Sequence, residues 1–132
     1  MNRFDQLSQC LNAVAAFAGF VFVALSAYVS HQSQLHKMAQ QSIDNALMMH
    51  IVHVLLILVV GQFQRNDALG VLVQVFASLG VVLFSFTIYA KYLFDIAIWG
   101  KLTMYGGFSL LISWLLLIIY VIRSLPKQGQ GT

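Results

Sequence analysis

The stretch ALMMHIVHVLLILVV, residues 46–60, decides how the whole chain is read. It contains no charge, glycine or proline, and its polarity is confined to two histidines, His50 and His53. Extended to residues 45–63, it approaches the ~20 residues that a helix needs to span a ~30 Å hydrocarbon core. In lipid every backbone polar group must be bonded, and a helix does this within itself. On that helix His50 and His53, three residues apart, share a face.

Working outward, three further runs have the same character: residues 11–30, 69–90 and 104–123. The chain is 60% hydrophobic and 8% charged, whereas a soluble domain carries about 25% charged residues. The expectation is one all-α domain over residues 1–132, an integral membrane bundle of four transmembrane helices, with a short disordered tail at 126–132. The first run exceeds the roughly 7–15 apolar residues of a signal-peptide core and reads as a retained helix. The charges agree with the segmentation. Every Lys, Arg and Asp falls between, beyond or at the very end of the spans, away from mid-membrane, where each costs at least ~2.5–3.5 kcal/mol. Pro126, the single proline, lies beyond the fourth run, so no span needs a proline kink.

Several function classes drop out. The net charge of +3 is spread along the chain, with no basic block to bind nucleic acid. A single cysteine, Cys10, excludes an internal disulfide and a CxxC redox pair. Four spans place the N-terminus, the short turn near Arg65 and the C-terminus on one side of the bilayer. That side carries Arg3, Arg65, Arg123 and Lys127, against Lys37, Lys91 and Lys101 on the other. The positive-inside rule favours both termini in the cytoplasm by four charges to three, a balance that leaves dual insertion as the alternative.

The connections differ in character. QFQRND (62–67) is a tight turn that makes its flanking helices antiparallel neighbours. Residues 31–44 form a longer polar loop with room for an interfacial helix. Residues 91–103 are amphipathic, and Tyr92, Phe94 and Trp99 suit the headgroup zone. The segments 19–28 and 80–89 both run from glycine to tyrosine, an echo better explained by chance than by duplication.

Small residues mark helix contacts, because close backbone approach drives association in lipid. These are Ala15 and Gly19 in the first run, Gly80 in the third, and Gly106 and Gly107 at the start of the fourth. Ser85 and Tyr89, and Ser109 and Ser113, are four apart and suited to bonding a carbonyl or a neighbouring helix. Trp114 lies deep in the fourth run, where its indole N–H requires an acceptor. It is expected to face the bundle interior or to bond a serine or a backbone carbonyl.

All four histidines fall in one half of the protein, and His31, Asp44, His50 and His53 form the candidate polar cluster. A metal or haem site is one reading, since imidazole is a common ligand. A proton path is another, since ionisable groups in membranes mark function by default. Neither a carboxylate or thiolate motif nor an embedded acid accompanies the pair. The favoured reading is two neutral histidines hydrogen-bonded across the bundle, with no metal, cofactor or catalytic residue.

The ordered motifs resemble the YgdD-like family of small bacterial inner-membrane proteins. Gly19, Ala27 and His31 fit its first helix. Asp44, Ala46 and His53 fit the second, Gly80, Leu83, Phe84, Ser85 and Tyr89 the third, and Thr103, Gly106, Gly107 and Trp114 the fourth. The chain departs from the family pattern at Ser26, Val29 and Ser30. It departs again at Met49, His50, Phe86 and Met104, where the family tends to have Tyr, Gln, Gly and Pro. The resemblance implies a four-helix inner-membrane protein with cytoplasmic termini and carries over no activity. The functional expectation is a non-catalytic structural, accessory or interaction protein, with lipid, other membrane proteins or a second copy as partners. The rival is a small oligomeric transporter or proton-linked permease, and behind it a metal- or haem-binding redox protein.

Overall fold

The computed structural model describes residues 2–32, 36–63, 67–96 and 100–125. Four helices long and apolar enough to cross a membrane account for nearly all of them: α1 (Arg3–Ser30), α2 (Lys37–Phe63), the third span Ala68–Leu93, and α5 (Gly100–Ser124). The third span has three parts, α3 (Ala68–Val81), a π-helical segment (Val82–Phe86) and α4 (Thr87–Leu93). The four-span all-α architecture expected of the sequence is the one observed.

The helices outrun the apolar runs because capping and propensity, rather than hydropathy, set their ends. Asn2 caps α1 by accepting a hydrogen bond from the Asp5 amide at 2.9 Å. Asp67 does the same for α3 through the Leu69 amide at 3.1 Å. Both satisfy donors that a helix start leaves unpaired. The polar loop expected at 31–44 is shortened, because Lys37–Asp44 belong to α2. That segment has no glycine or proline and is rich in residues that helices tolerate well. The surface segment expected at 91–103 is likewise shortened from both sides by α4 and α5. α4 closes with Asp95 in the left-handed region (φ 51°) and the Ile96 amide donating to the Ala90 carbonyl at 2.9 Å. A left-handed residue just past the last turn is a common way for a helix to end. Arg65, Trp99 and the 126–132 tail lie outside the described residues.

α2 and the third span form the centre. In each, 44% of the most apolar window is buried, against 22% in α5 and 6% in α1. α1 leans on α2 and α3, while α5 packs chiefly on α3 and the π segment. Two apolar clusters fill the interior. Ala15, Val54, Ile57 and Ala77 occupy the half nearer the N-terminus. Val29, Ile43, Ala46, Leu47 and Tyr89 occupy the other. The embedded histidines sit between the two.

Gly106 explains how α5 reaches the third span. A Cβ there would lie 2.7 Å from the Leu83 carbonyl carbon and 2.8 Å from Phe84 Cα. Only a residue without a side chain lets the two backbones meet. At Gly80 a Cβ would collide with Leu110 of α5. At Gly19 and Gly107 the nearest atoms would be 3.6 and 3.9 Å away, ordinary contact distances.

Candidate functional site

His53 is 2% exposed and sits between α2 and α5. Its Nδ1 lies 2.7 Å from the Met49 carbonyl one turn earlier, and a carbonyl can only accept. Nδ1 therefore carries the proton. That leaves Nε2 as the acceptor for the Trp114 indole N–H, at 3.0 Å. Both ring nitrogens are used and the neutral tautomer is fixed. Trp114 is 42% exposed rather than turned to the interior, and it meets its requirement for an acceptor through a histidine rather than the expected serine or carbonyl. The rings stand edge to face, 6.2 Å apart at 86°. Over the pair runs an apolar groove of about 350 Å³, lined also by Met49, Phe84, Gly107, Leu110 and Leu111.

His50 is fully buried and faces a different neighbour. Its Nδ1 is 3.2 Å from the Tyr89 hydroxyl of α4. Phe22, Phe86 and Tyr89 surround the ring, with centroids 5.9, 5.4 and 5.9 Å away. The backbone of Ala18 on α1 lies beside it. Three residues correspond to about 300° of helical rotation, so the two histidines diverge by some 60° and contact different helices.

His31 and Asp44, the other members of the candidate cluster, are exposed near one end of the bundle. Among the described residues, no three His, Cys, Asp or Glu side chains gather in a way that could hold a metal ion. The candidate cluster thus separates into two buried histidines with distinct partners and two surface groups.

The hydroxyls expected to serve packing bond to helix backbones. Ser85 donates to the Ala46 carbonyl of α2 at 2.9 Å, and Ser109 to the Phe76 carbonyl of α3 at 2.8 Å. Ser113 donates to the Leu110 carbonyl of its own helix at 2.7 Å. Thr103 pairs with Thr87 across α4 and α5 at 2.8 Å.

Sequence reasoning missed a second polar centre. Gln74 is 1% exposed, and its amide nitrogen donates to Asn12 Oδ1 of α1 and to the Ile57 carbonyl of α2, both at 2.9 Å. Gly61 makes room for it, since a Cβ there would strike the Asn12 and Gln74 side chains. The available signal was an amide inside each of two apolar runs, at Asn12 and Gln74.

The fold and these helix-bridging polar contacts define a four-span integral membrane protein. Residues 11–107 match the family model described as "Protein of unknown function (DUF423)". The chain is 34% identical over 119 residues to the UPF0382 inner membrane protein YgdD of Escherichia coli (strain K12). The match covers 87% of this chain and 90% of that protein. The YgdD protein of Shigella flexneri matches to the same extent. No solved structure matches the chain. The chain belongs to the DUF423 family, and the resemblance drawn from its motifs is correct.

Proposed function

We propose that this protein is a non-catalytic component of the bacterial inner membrane that works by association. Both termini face the cytoplasm, and the apolar outer surface is offered to lipid, to other membrane proteins or to a second copy. The observation that carries this reading is the saturation of His53. Its Nδ1 is bonded to Met49 and its Nε2 to Trp114, which leaves neither nitrogen for a metal, a haem iron or a moving proton. A permease would need a polar, water-lined cavity at His53, and the groove there is apolar. The relative named an inner membrane protein supports the location, and the Arg and Lys distribution supports the orientation.

The test is mild-detergent purification at native expression level, with mass spectrometry of what co-purifies, metal analysis and an absorption spectrum. A defined membrane partner or a homo-oligomer is expected. Stoichiometric metal or a Soret band that disappears with His53→Leu overturns the reading. A fluorescent protein fused after residue 132 reports the orientation, and fluorescence is expected only if the C-terminus is cytoplasmic.

A further inference from the structure

The bundle is open along one side of the third span. α1 packs along α3, and α5 along α3 and the π segment, but α1 does not follow the third span closely beyond Val81. A groove of about 560 Å³ lies in the gap, with Val21 and Leu25 of α1 on one wall and Leu102 of α5 on the other. Its floor is the third span, from Val82 through Phe86 to Phe94. From Val82 to Phe94 is about 18 Å of helix, slightly more than half of a ~30 Å hydrocarbon core. Val82 lies just past the middle of the Ala68–Leu93 span. The groove therefore belongs to one leaflet, on the side of residues 91–103.

The walls select an apolar occupant. Among the described lining residues only Thr87 and Tyr89 carry polar side-chain atoms. Both hydroxyls are already bonded, Thr87 to Thr103 and to the Leu83 and Phe84 carbonyls, Tyr89 to His50. A peptide or a sugar would leave its own polar groups unpaired there, which is costly. Size separates the apolar candidates. A helix with its side chains is about 10–12 Å across, so about 18 Å of it takes up roughly 1,400 Å³, more than twice the groove. A single acyl chain is far narrower and lies lengthwise.

The rim supplies charge. Lys91 follows the lining residue Ala90, Lys101 precedes Leu102, and both lysines are exposed. Lys91 holds its ammonium 4.9 Å from the centre of the Tyr92 ring, and interfacial tyrosines mark the headgroup level. Asp95 follows Phe94, so two lysines against one aspartate leave a single net positive charge. Basic side chains at that level attract anionic lipid. We propose that this groove is a phospholipid site, with one acyl chain along the π segment and α4 and a singly anionic headgroup at Lys91 and Lys101. The site is separate from the association reading, since its test reads lipid and the other reads protein.

Spin-labelled lipid tests it in full-length protein reconstituted in phosphatidylcholine bilayers. Phosphatidylglycerol and phosphatidylcholine, each labelled on one chain, are compared for the fraction whose motion the protein restricts. A preference of about fivefold for phosphatidylglycerol is expected, the factor that ~1 kcal/mol per net basic charge gives. Equal restriction of both lipids in the unaltered protein overturns the proposal, because the groove then holds ordinary boundary lipid or a second copy. Lys91→Gln combined with Lys101→Gln should abolish the preference. Lys37→Gln, at the same end of the bundle but away from the groove lining, should keep it. A preference that follows Lys37 instead overturns the site. Ala90→Phe puts a ring into the groove, leaves both lysines in place and should abolish the preference too. If Ala90→Phe lowers the thermal midpoint, Val21→Trp is read in its place. A preference that survives the filled groove overturns the chain site and leaves only a charged surface.

Discussion

The two faces of the third span are built on different terms. Toward α5 the contact combines close backbone approach with short hydroxyl bonds. Gly106 brings the backbones together, Ser109 and Ser113 each find a carbonyl, and Thr87 and Thr103 satisfy one another. Toward α1 and α2 the contact is held by an amide network at Gln74, which bonds Asn12 of α1 and the Ile57 carbonyl of α2. Without a hydrophobic drive between helices in lipid, close packing and interhelical hydrogen bonds carry association. The α5 face relies on the first, the α1–α2 face on the second. The glycine face should be the more easily damaged, since backbone contact cannot yield whereas a bonded side chain can be replaced.

The sharpest break is at Gly106. Gly106→Val should cost more than the ~1–3 kcal/mol typical of overpacking, seen as a large fall in thermal midpoint in detergent or as failure to accumulate. Gly107→Ala, whose new methyl would meet only Phe84 Cδ2 at 3.9 Å, should leave the midpoint unchanged. Equal effects would mean that α5 does not approach through Gly106. On the other face Gln74→Leu removes two interhelical bonds, each worth about 0.6 kcal/mol and at most about 1.7 in membrane proteins. The same melting assay should place it between Gly106→Val and Gly107→Ala.

Between the faces, His53→Leu takes the acceptor from Trp114. A loss of about 1 kcal/mol is expected, together with a shift in Trp114 emission measured in a Trp99→Phe background. Milder still, His50→Gln keeps an acceptor near Tyr89 and should cost less than the ~1 kcal/mol expected of His53→Leu. If His50→Gln and His53→Leu proved equally severe, the two histidines would be acting together, against their separate partners in the fold.

Much of the fold was legible because lipid imposes few choices. An apolar run of about 20 residues such as 45–63 leaves a helix as the natural answer, and Gly80 and Gly106 announced where helices touch. Helix ends were less legible, since residues 37–44 look like a polar loop until their propensity is weighed. At the candidate site the spacing of His50 and His53 was readable but not their targets. Sixty degrees of divergence sends one to α4 and the other to α5, and only the arrangement of the helices decides that. Trp114 announced its need for an acceptor but not which side chain would supply it. Gln74 went unread because a lone amide among valines carries no periodicity, and its partners on α1 and α2 are distant in sequence.

The π segment at Val82–Phe86 had no proline to announce it, and it reaches beyond its own five residues. Each residue of an α-helix turns the chain by about 100°, and a π turn takes in one more residue than the α-helix allots. Everything after Phe86 is therefore out of phase with everything before Val82. The third span behaves as two helices threaded on a single axis. A one-residue deletion within 82–86 would close the segment to an ordinary α-helical turn and keep Tyr89 beside His50, whereas the same deletion between Thr87 and Tyr89 would turn the rest of the span by about 100° against the helices before it.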